Sequence, residues 1–270
     1  MSAIRDEPLH SAPSVKPIVL FVATRWELAA VCRALLADRQ VDIGGVRCFI
    51  GERKGRPYWL IRTGVGPKAA MATANAVLSG WPVALAISTG FAGALVPAAI
   101  GDLIIGESVA AASYSNAWMV DTHSVMCDSV IQLCAQSVAA EAGITARIGP
   151  VVSVSAVVCR AEDKQALSRA SGASGLDMES AALALVAHER AVPFAVIRTV
   201  SDLVGEDLPL DFNLFLTPGG WLRGIQELLR RPSSLVGLNR LRRQSGLAAA
   251  RLAAICTALA ERDFGLSPAA

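Results

Sequence analysis

The chain lacks any pair of cysteines at CxxC spacing, and no histidine stands near one at the intervals used by zinc sites. Neither a zinc fold nor a disulfide framework is expected. Cys32, Cys48, Cys127, Cys134, Cys159 and Cys256 read as idle thiols of a reducing compartment. Long uncharged runs are missing as well: Asp102, Glu107, Glu179 and Glu189 interrupt the most apolar stretches, short of the roughly 18 residues that a spanning helix needs. Asp6 and Glu7 stand where a secretion signal would carry positive charge, and the apolar run Ile18 to Ala23 is too short for the core of one. These gaps lead to the expectation of a soluble, cytoplasmic protein. The net charge is only +2 at pH 7, too small for a global field that would hold nucleic acid. Histidine is limited to His10, His123 and His188. Each reads as surface or internally satisfied, with Asp121 and His123 also readable as part of a lid.

Apolar residues are plentiful: 53% of the 270 residues are hydrophobic and mean hydropathy is +0.46, enough for a sizeable core. Residues 1–15, with Pro8, Pro13 and two serines, read as a loose leader. A strand Pro17 to Ala23 precedes a helix capped by Thr24. Val46 to Gly51 and Tyr58 to Arg62 read as strands around a turn at Lys54-Gly55-Arg56. Pro67 suits the first turn of an alanine-rich helix ending near Leu78. A strand Ala84 to Ser88 follows, then one from Gly101, a helix from about Ser129 to Ala142, and a long buried strand Gly149 to Val158. No repeat of fixed period is visible. Alternating strands and helices predict an α/β layered fold with a central mixed sheet.

In such sheets ligands sit beyond the carboxyl ends of strands. An acid leading into a helix and an acid ending the next strand can therefore face one ligand, and this places Leu176-Asp177-Met178-Glu179-Ser180 and Ile197-Arg198-Thr199-Val200-Ser201-Asp202 at one pocket rim. Three further segments agree in order and spacing: Val22 to Leu28 around Glu27, Thr63-Gly64-Val65-Gly66, and Ser88-Thr89-Gly90-Phe91-Ala92-Gly93 with Gly101-Asp102. Together they resemble the superfamily of purine nucleoside phosphorylases and 5'-methylthioadenosine/S-adenosylhomocysteine nucleosidases over about residues 17 to 210. The resemblance implies a nucleoside phosphorylase-like α/β/α fold across residues 16–220. It also implies cleavage of the bond between a ribose and a base, no metal or organic cofactor, and a homo-oligomer in which a neighbour closes the site.

By that resemblance Asp202 is the acid that protonates the departing purine, work worth roughly 10²–10⁴-fold, and Glu27 orients the attacking water. Such an acid calls for desolvation or a hydrogen bond to its neutral form, and the apolar run Phe194 to Ile197 is consistent with a buried setting for Asp202. Glu179 accepts the ribose hydroxyls with Met178 beneath the sugar, and Arg198 pairs with an acid to hold this layer. Phe91, Ala92, Gly93 and Ser201 line the substrate. Val157 and Val158 stand against the base where the family often has an aromatic member, so either stacking falls to a residue such as Phe91 or Trp26 or base recognition is looser. Arg25-Trp26 also departs from the acidic run common before this glutamate. Ser88 and Phe91 stand where phosphorylases place phosphate ligands, which tilts the nucleophile toward water. Arg25, Arg47 and Arg62 remain candidates for holding phosphate as a co-substrate.

From Trp221 onward eight arginines stand against Glu227, Glu261 and Asp263, with leucines at helix-compatible intervals. Residues 221–270 are therefore expected to form a basic amphipathic helical extension. It either packs on the domain or a second subunit, or touches anionic lipid at the inner membrane surface. Arg230-Arg231-Pro232-Ser233-Ser234-Leu235 is similar to the end of hopanoid-associated phosphorylases, whose adenosylated lipid is the alternative substrate. The preferred reading is an adenine nucleosidase. A noncatalytic nucleoside-binding protein on the same fold is the alternative of another class.

Overall fold

A computed structural model describes residues 7–8, 14–209 and 233–264. Strand β2, Ile18–Val22, is five apolar residues buried throughout, the pattern of a strand covered on both faces. It runs into Thr24, which is extended and caps helix α1, Arg25–Leu35, in a reciprocal capping box with Glu27. Buried positions 27, 30, 31, 34 and 35 follow the helical repeat. The same geometry that turns Ala30 and Val31 inward therefore turns Glu27 inward too.

Strands β3 (Arg39–Ile43), β4 (Val46–Arg53) and β5 (Arg56–Arg62) form an antiparallel meander, joined to β2 through a parallel β5. Two residues from the stretch read as a leader, Glu7–Pro8 (β1), pair parallel with Val41 and Asp42. Helix α2, Pro67–Leu78, leads to β6, Leu85–Ala94. Next come β7 (Leu103–Tyr114), β8 (Trp118–Val120), β9 (Val125–Met126), helix α3 (Ser129–Glu141) and β10 (Ala146–Ser153). Helix α4 (Ala161–Ser171), β11 (Gly175–Asp177), helix α5 (Ser180–Glu189), β12 (Phe194–Asp202) and helix α6 (Ser233–Ala260) complete the order. The sheet runs β1-β3-β4-β5-β2-β6-β11-β10-β7-β12, and β12 pairs again with β6. Strands β6, β11, β10, β7 and β12 thus close into a ring whose seam is the parallel β6–β12 pair, while β2 to β5 extend as an open wing.

Three departures from the expected boundaries bear on the site. Strand β6 does not stop at Ser88 but continues to Ala94, because Ile197 to Asp202 of β12 pair with Thr89 to Gly93. Strand β10 ends at Ser153 rather than Val158, its partner β11 being only three residues long. Val157 and Val158 consequently lie in the loop that follows. Helix α4, for which the sequence reading made no assignment, occupies Ala161–Ser171.

Helices α2 and α5 cover one face of the sheet through Ala70, Ala74, Val77, Leu183 and Val186. Helices α1, α3 and α6 cover the other. Leu252, Ile255, Cys256 and Leu259 of α6 are buried there against Leu35, Ile87 and Ile197, so this part of the apolar stripe is spent on the domain itself. Arg240, Arg242 and Arg243 stay at the surface, while Arg223, Arg230 and Arg231 lie outside the described residues. No helix among the described residues is long and apolar enough to cross a membrane. Since Leu252 is fully buried, Leu252→Ala should cost about 2–5 kcal/mol. Urea unfolding checks this. A loss below about 0.5 kcal/mol, as at surface positions, would mean that α6 does not belong to the cooperative core.

Candidate active site

Residues Gly90 to Gly93 of β6 form the floor of a cluster of buried charges. Glu27 reaches this floor from the first turn of α1. Its Oε1 accepts the Phe91 N–H at 2.7 Å, and its Oε2 accepts the Thr24 N–H at 2.7 Å and the Thr24 hydroxyl at 2.9 Å. Gly90 has φ +138, and a Cβ there would collide with Glu27 Oε1 and lie 2.9 Å from Arg198 Nη1. Only glycine lets the strand pass beneath both groups.

Arg198, 1% exposed, points from β12 into the same cluster. Its Nη2 lies 2.9 Å from Asp177 Oδ2 and 3.9 Å from Glu179 Oε2 and donates to Ser88 Oγ at 2.8 Å and Ser180 Oγ at 3.1 Å. Burial alone would weaken the charge of this guanidinium, but Asp177, Glu179 and Glu27 together raise its pKa above the ordinary value. The acid expected to pair with Arg198 is thus chiefly Asp177. Asp177 is tied further by Ser153 Oγ at 2.5 Å and by the Ser180 hydroxyl, so it serves to hold the layer.

Glu179 precedes α5, and its Oε1 accepts the Gly66 N–H at 2.8 Å, which ties the Thr63–Gly66 turn to the site. Burial pushes its pKa up to about 7 from an ordinary 4.5. Arg198 and the Gly66 amide oppose the shift, and Asp177 and Glu27 add to it. Between those pH values the folded chain keeps a proton on Glu179 that the unfolded chain releases. That contribution to stability is fully present below pH 4.5 and is lost as pH rises through about 7. Glu179→Gln mimics the protonated form, so its stability relative to the native chain should rise by at most about 3 kcal/mol from pH 4.5 to 7.5. Urea unfolding across that range tests this, and a difference independent of pH would refute it.

Asp202 ends β12 at a bulge. Val200 pairs with Ala92 and Asp202 with Gly93, leaving Ser201 as the extra residue, a device that re-aims a side chain at a strand end. Ser201 Oγ lies 3.0 Å from Asp202 Oδ2 and 3.3 Å from the Ala92 carbonyl. A Cβ on Gly93 would stand 3.0 Å from Asp202 Oδ1, so the bare backbone of β6 makes room for the carboxylate. The setting differs from the desolvated one expected. The Asp202 side chain is 16% exposed and forms an ion pair with the wholly buried Lys164 of α4. The sequence reading missed Lys164, whose only local sign is a lysine early in a polar segment.

An apolar wall stands at the start of α5: Met178 and Leu176 pack in one cluster with Val158, Val154 and Leu167, with Val157 and Trp118 against it. Met178, Val157 and Val158 are thereby brought together. The Phe91 ring instead packs with the cluster around α1 and α6, and its part in the floor is its backbone. Trp26 is 70% exposed, with the Arg25 guanidinium 5.6 Å from its ring centre. The aromatic beside the valines is Trp118, whose buried indole N–H has no hydrogen-bond partner among the described residues. Position 118 lies some forty residues away in sequence, which hid this proximity.

The surface clefts among the described residues include two that are not lined by Glu27, Glu179, Arg198 or Asp202. One of about 710 Å³ is lined by Arg25, Asp42, Arg47, Phe49 and Arg62, which gathers the three arginines considered as phosphate ligands. The other, about 670 Å³, is lined by Met71, Asp121, His123, Met126, Ser153 and Leu185 among others. Asp121 and His123 therefore border the outer side of α2 and α5. No group of three or more potential metal ligands occurs among the described residues.

The closed ring, the glycine floor and the surrounding carboxylates place the molecule among known enzymes: the chain belongs to the phosphorylase superfamily, whose profile matches residues 17–217. It is an enzyme of the nucleosidase and phosphorylase kind, acting on N-glycosyl bonds. Among individual relatives, the 5'-methylthioadenosine/S-adenosylhomocysteine nucleosidase of Shewanella loihica is 28% identical over 205 residues, spanning 72% of this chain and 89% of that protein. The fold is shared with the Neisseria meningitidis 5'-methylthioadenosine/S-adenosylhomocysteine nucleosidase solved with methylthio-immucillin-A. That match has a TM-score of 0.71 and 20% identity, covering 92% of this chain and 99% of that one. It is shared also with the Helicobacter pylori futalosine hydrolase, with a TM-score of 0.69 and 18% identity, covering 91% and 97%.

Proposed function

We propose that this enzyme hydrolyses the N-ribosyl bond of an adenine nucleoside of the methylthioadenosine or S-adenosylhomocysteine kind, releasing adenine. The observation that carries the choice of water is the engagement of the Phe91 amide by Glu27. A phosphate would need amides and cations at the β6 floor, whereas a carboxylate already fills that place beside Gly90 and would repel a dianion. A carboxylate suits a water molecule, which it can orient and deprotonate.

In the proposed reaction the bond from the purine nitrogen to C1' breaks with its electron pair passing to the base. Asp202 supplies the proton that the base takes up. Water bonds to C1' and gives its proton to Glu27, while Glu179, which ionises as pH rises through about 7, accepts hydrogen bonds from the ribose hydroxyls and in its charged form stabilises the cationic sugar. Glu27 then gives up its proton to solvent and Asp202 regains one from solvent, to which its side chain is 16% exposed. Met178, Val157, Val158 and Trp118 supply the apolar surface for sugar and base.

The gathering of Arg25, Arg47 and Arg62 on one cleft favours a second reading in which phosphate is the nucleophile. The test is to incubate purified protein with methylthioadenosine, S-adenosylhomocysteine, adenosine and inosine, with and without phosphate, and to identify the sugar released. The free sugar, with its 5' substituent where the substrate has one and unchanged by phosphate, is the expected result. The corresponding sugar 1-phosphate would transfer the role of nucleophile to phosphate.

A further inference from the structure

Lys164 is the one lysine of the described residues that is wholly buried, and its place is explained by neither the fold nor the reaction so far. Burying an ammonium is costly unless each N–H finds a partner. Here all three do: Nζ donates to Asp202 Oδ1, to the Leu203 carbonyl at 3.1 Å and to the Glu206 carbonyl at 3.2 Å. The lysine thereby joins α4 to the end of β12 and to the turn that follows it. A second tie runs from Asp207 Oδ1 to the Ala161 N–H at 2.7 Å, which fixes the start of α4 against the same turn.

The two oxygens of Asp202 are thus made unequal. Oδ1 faces an ammonium, which has donors and no acceptor, so a carboxylic proton cannot sit on Oδ1 and point toward Lys164. Among the described residues Oδ2 meets the Ser201 hydroxyl, at 3.0 Å, and a hydroxyl can accept as well as donate. We propose that Lys164 is a positioning residue for the base subsite, one that assigns the transferable proton of Asp202 to Oδ2 and holds that oxygen toward the departing purine. The inference rests on the nucleosidase reading for its chemistry, and on the three hydrogen bonds of Nζ for its geometry. Ser201, as the bulge residue, supplies the second tether, so carboxylate rotation is opposed from both sides.

The test compares the native chain with Lys164→Met, which keeps length and apolar bulk, and with Lys164→Gln, which keeps a donor for the carbonyls of Leu203 and Glu206. Two substrates separate positioning from general structural support. Methylthioadenosine needs its base protonated on departure, whereas a 4-nitrophenyl riboside releases a stable anion that needs no proton. In both variants kcat on methylthioadenosine should fall about 10²-fold, the low end of what a positioned acid contributes, with KM changed by less than about threefold. Turnover of the nitrophenyl riboside should stay within about threefold of native, since acid catalysis is not used there. Equal losses on both substrates, or no loss on methylthioadenosine, overturn the proposal. Calorimetric binding of free adenine gives an arm that does not depend on turnover, and here the variants should bind about tenfold more weakly, the loss of one charge-ordered contact. Unchanged adenine affinity overturns the proposal. Should the native chain cleave no nucleoside at all, the nucleosidase reading fails, while the dependence of adenine binding on Lys164 still decides the positioning role.

Discussion

Asp202→Asn is expected to lower turnover at saturating nucleoside by about 10²–10⁴-fold while KM changes by less than about tenfold. The substitution removes a proton donor and almost no volume, and an amide can still meet the hydrogen bond of Ser201 Oγ through its oxygen. The effect falls on the step in which the base leaves, because an adenine anion is a poor leaving group without a proton. Lys164 complicates the variant in a calculable way. Its ammonium loses the only carboxylate among its three acceptors, and breaking a buried pair by removing one partner is strongly destabilising, by about 3–5 kcal/mol. Partial exposure of Asp202 should reduce that cost. Rates must therefore be measured well below the midpoint of thermal unfolding of the variant. Near-native turnover in a folded Asp202→Asn protein would exclude Asp202 as the donor.

Glu27→Gln is expected to reduce hydrolysis by a comparable factor, about 10²–10⁴-fold, for a different reason. The native carboxylate accepts on both oxygens, from Phe91 on one side and from Thr24 on the other. A glutamine has only one acceptor oxygen, so one of these N–H groups must face an amide NH2. If the Thr24 side is lost, the cap of α1 weakens by about 0.5–2 kcal/mol. If the Phe91 side is lost, the β6 floor loses its anchor and the water its base. Adenine affinity should be retained, because base recognition is assigned to Asp202 and the apolar wall. Single-turnover rates and calorimetric adenine binding separate these effects. Full activity in Glu27→Gln would remove the water-activating role and would favour phosphate as nucleophile.

Much of the framework is legible in local sequence because local rules govern it. Thr24 and Glu27 form a capping box that can be read from spacing. Pro67 marks the first turn of α2 and Leu78 its last residue, just where the helix lies. The apolar run of β2 predicts a strand covered on both sides. The errors occur where pairing partners rather than local pattern set the boundary: β6 is carried past Gly90 by its register with β12, and β10 stops at Ser153 with its short neighbour. The apolar residues Val157 and Val158 read as strand because they are β-branched, yet they sit in a loop and act as wall.

The candidate site divides in the same manner. Glu179 and Asp202 could be named as candidates because one leads into a helix and the other ends a strand, positions that face a ligand in this kind of sheet, and Glu27 through the resemblance of its segment to the family. Which acid Arg198 grips, that Trp118 stands beside the valines, and that Lys164 holds Asp202 could not be named. Each depends on contacts between segments about twenty to forty residues apart.

What the sequence determined by itself is most of the helices and central strands, which follow from periodicity and capping, and the superfamily, through the resemblance of its motifs; Glu27, Glu179 and Asp202 were candidates on that same resemblance. The tertiary structure alone decided the electrostatic state of the site. It buried Glu179 beside two other acids and one arginine, and it set a lysine against Asp202 where an apolar setting was expected. Charge interaction depends on distance and burial, and both arise only when the closed ring of strands brings remote helices onto one glycine floor.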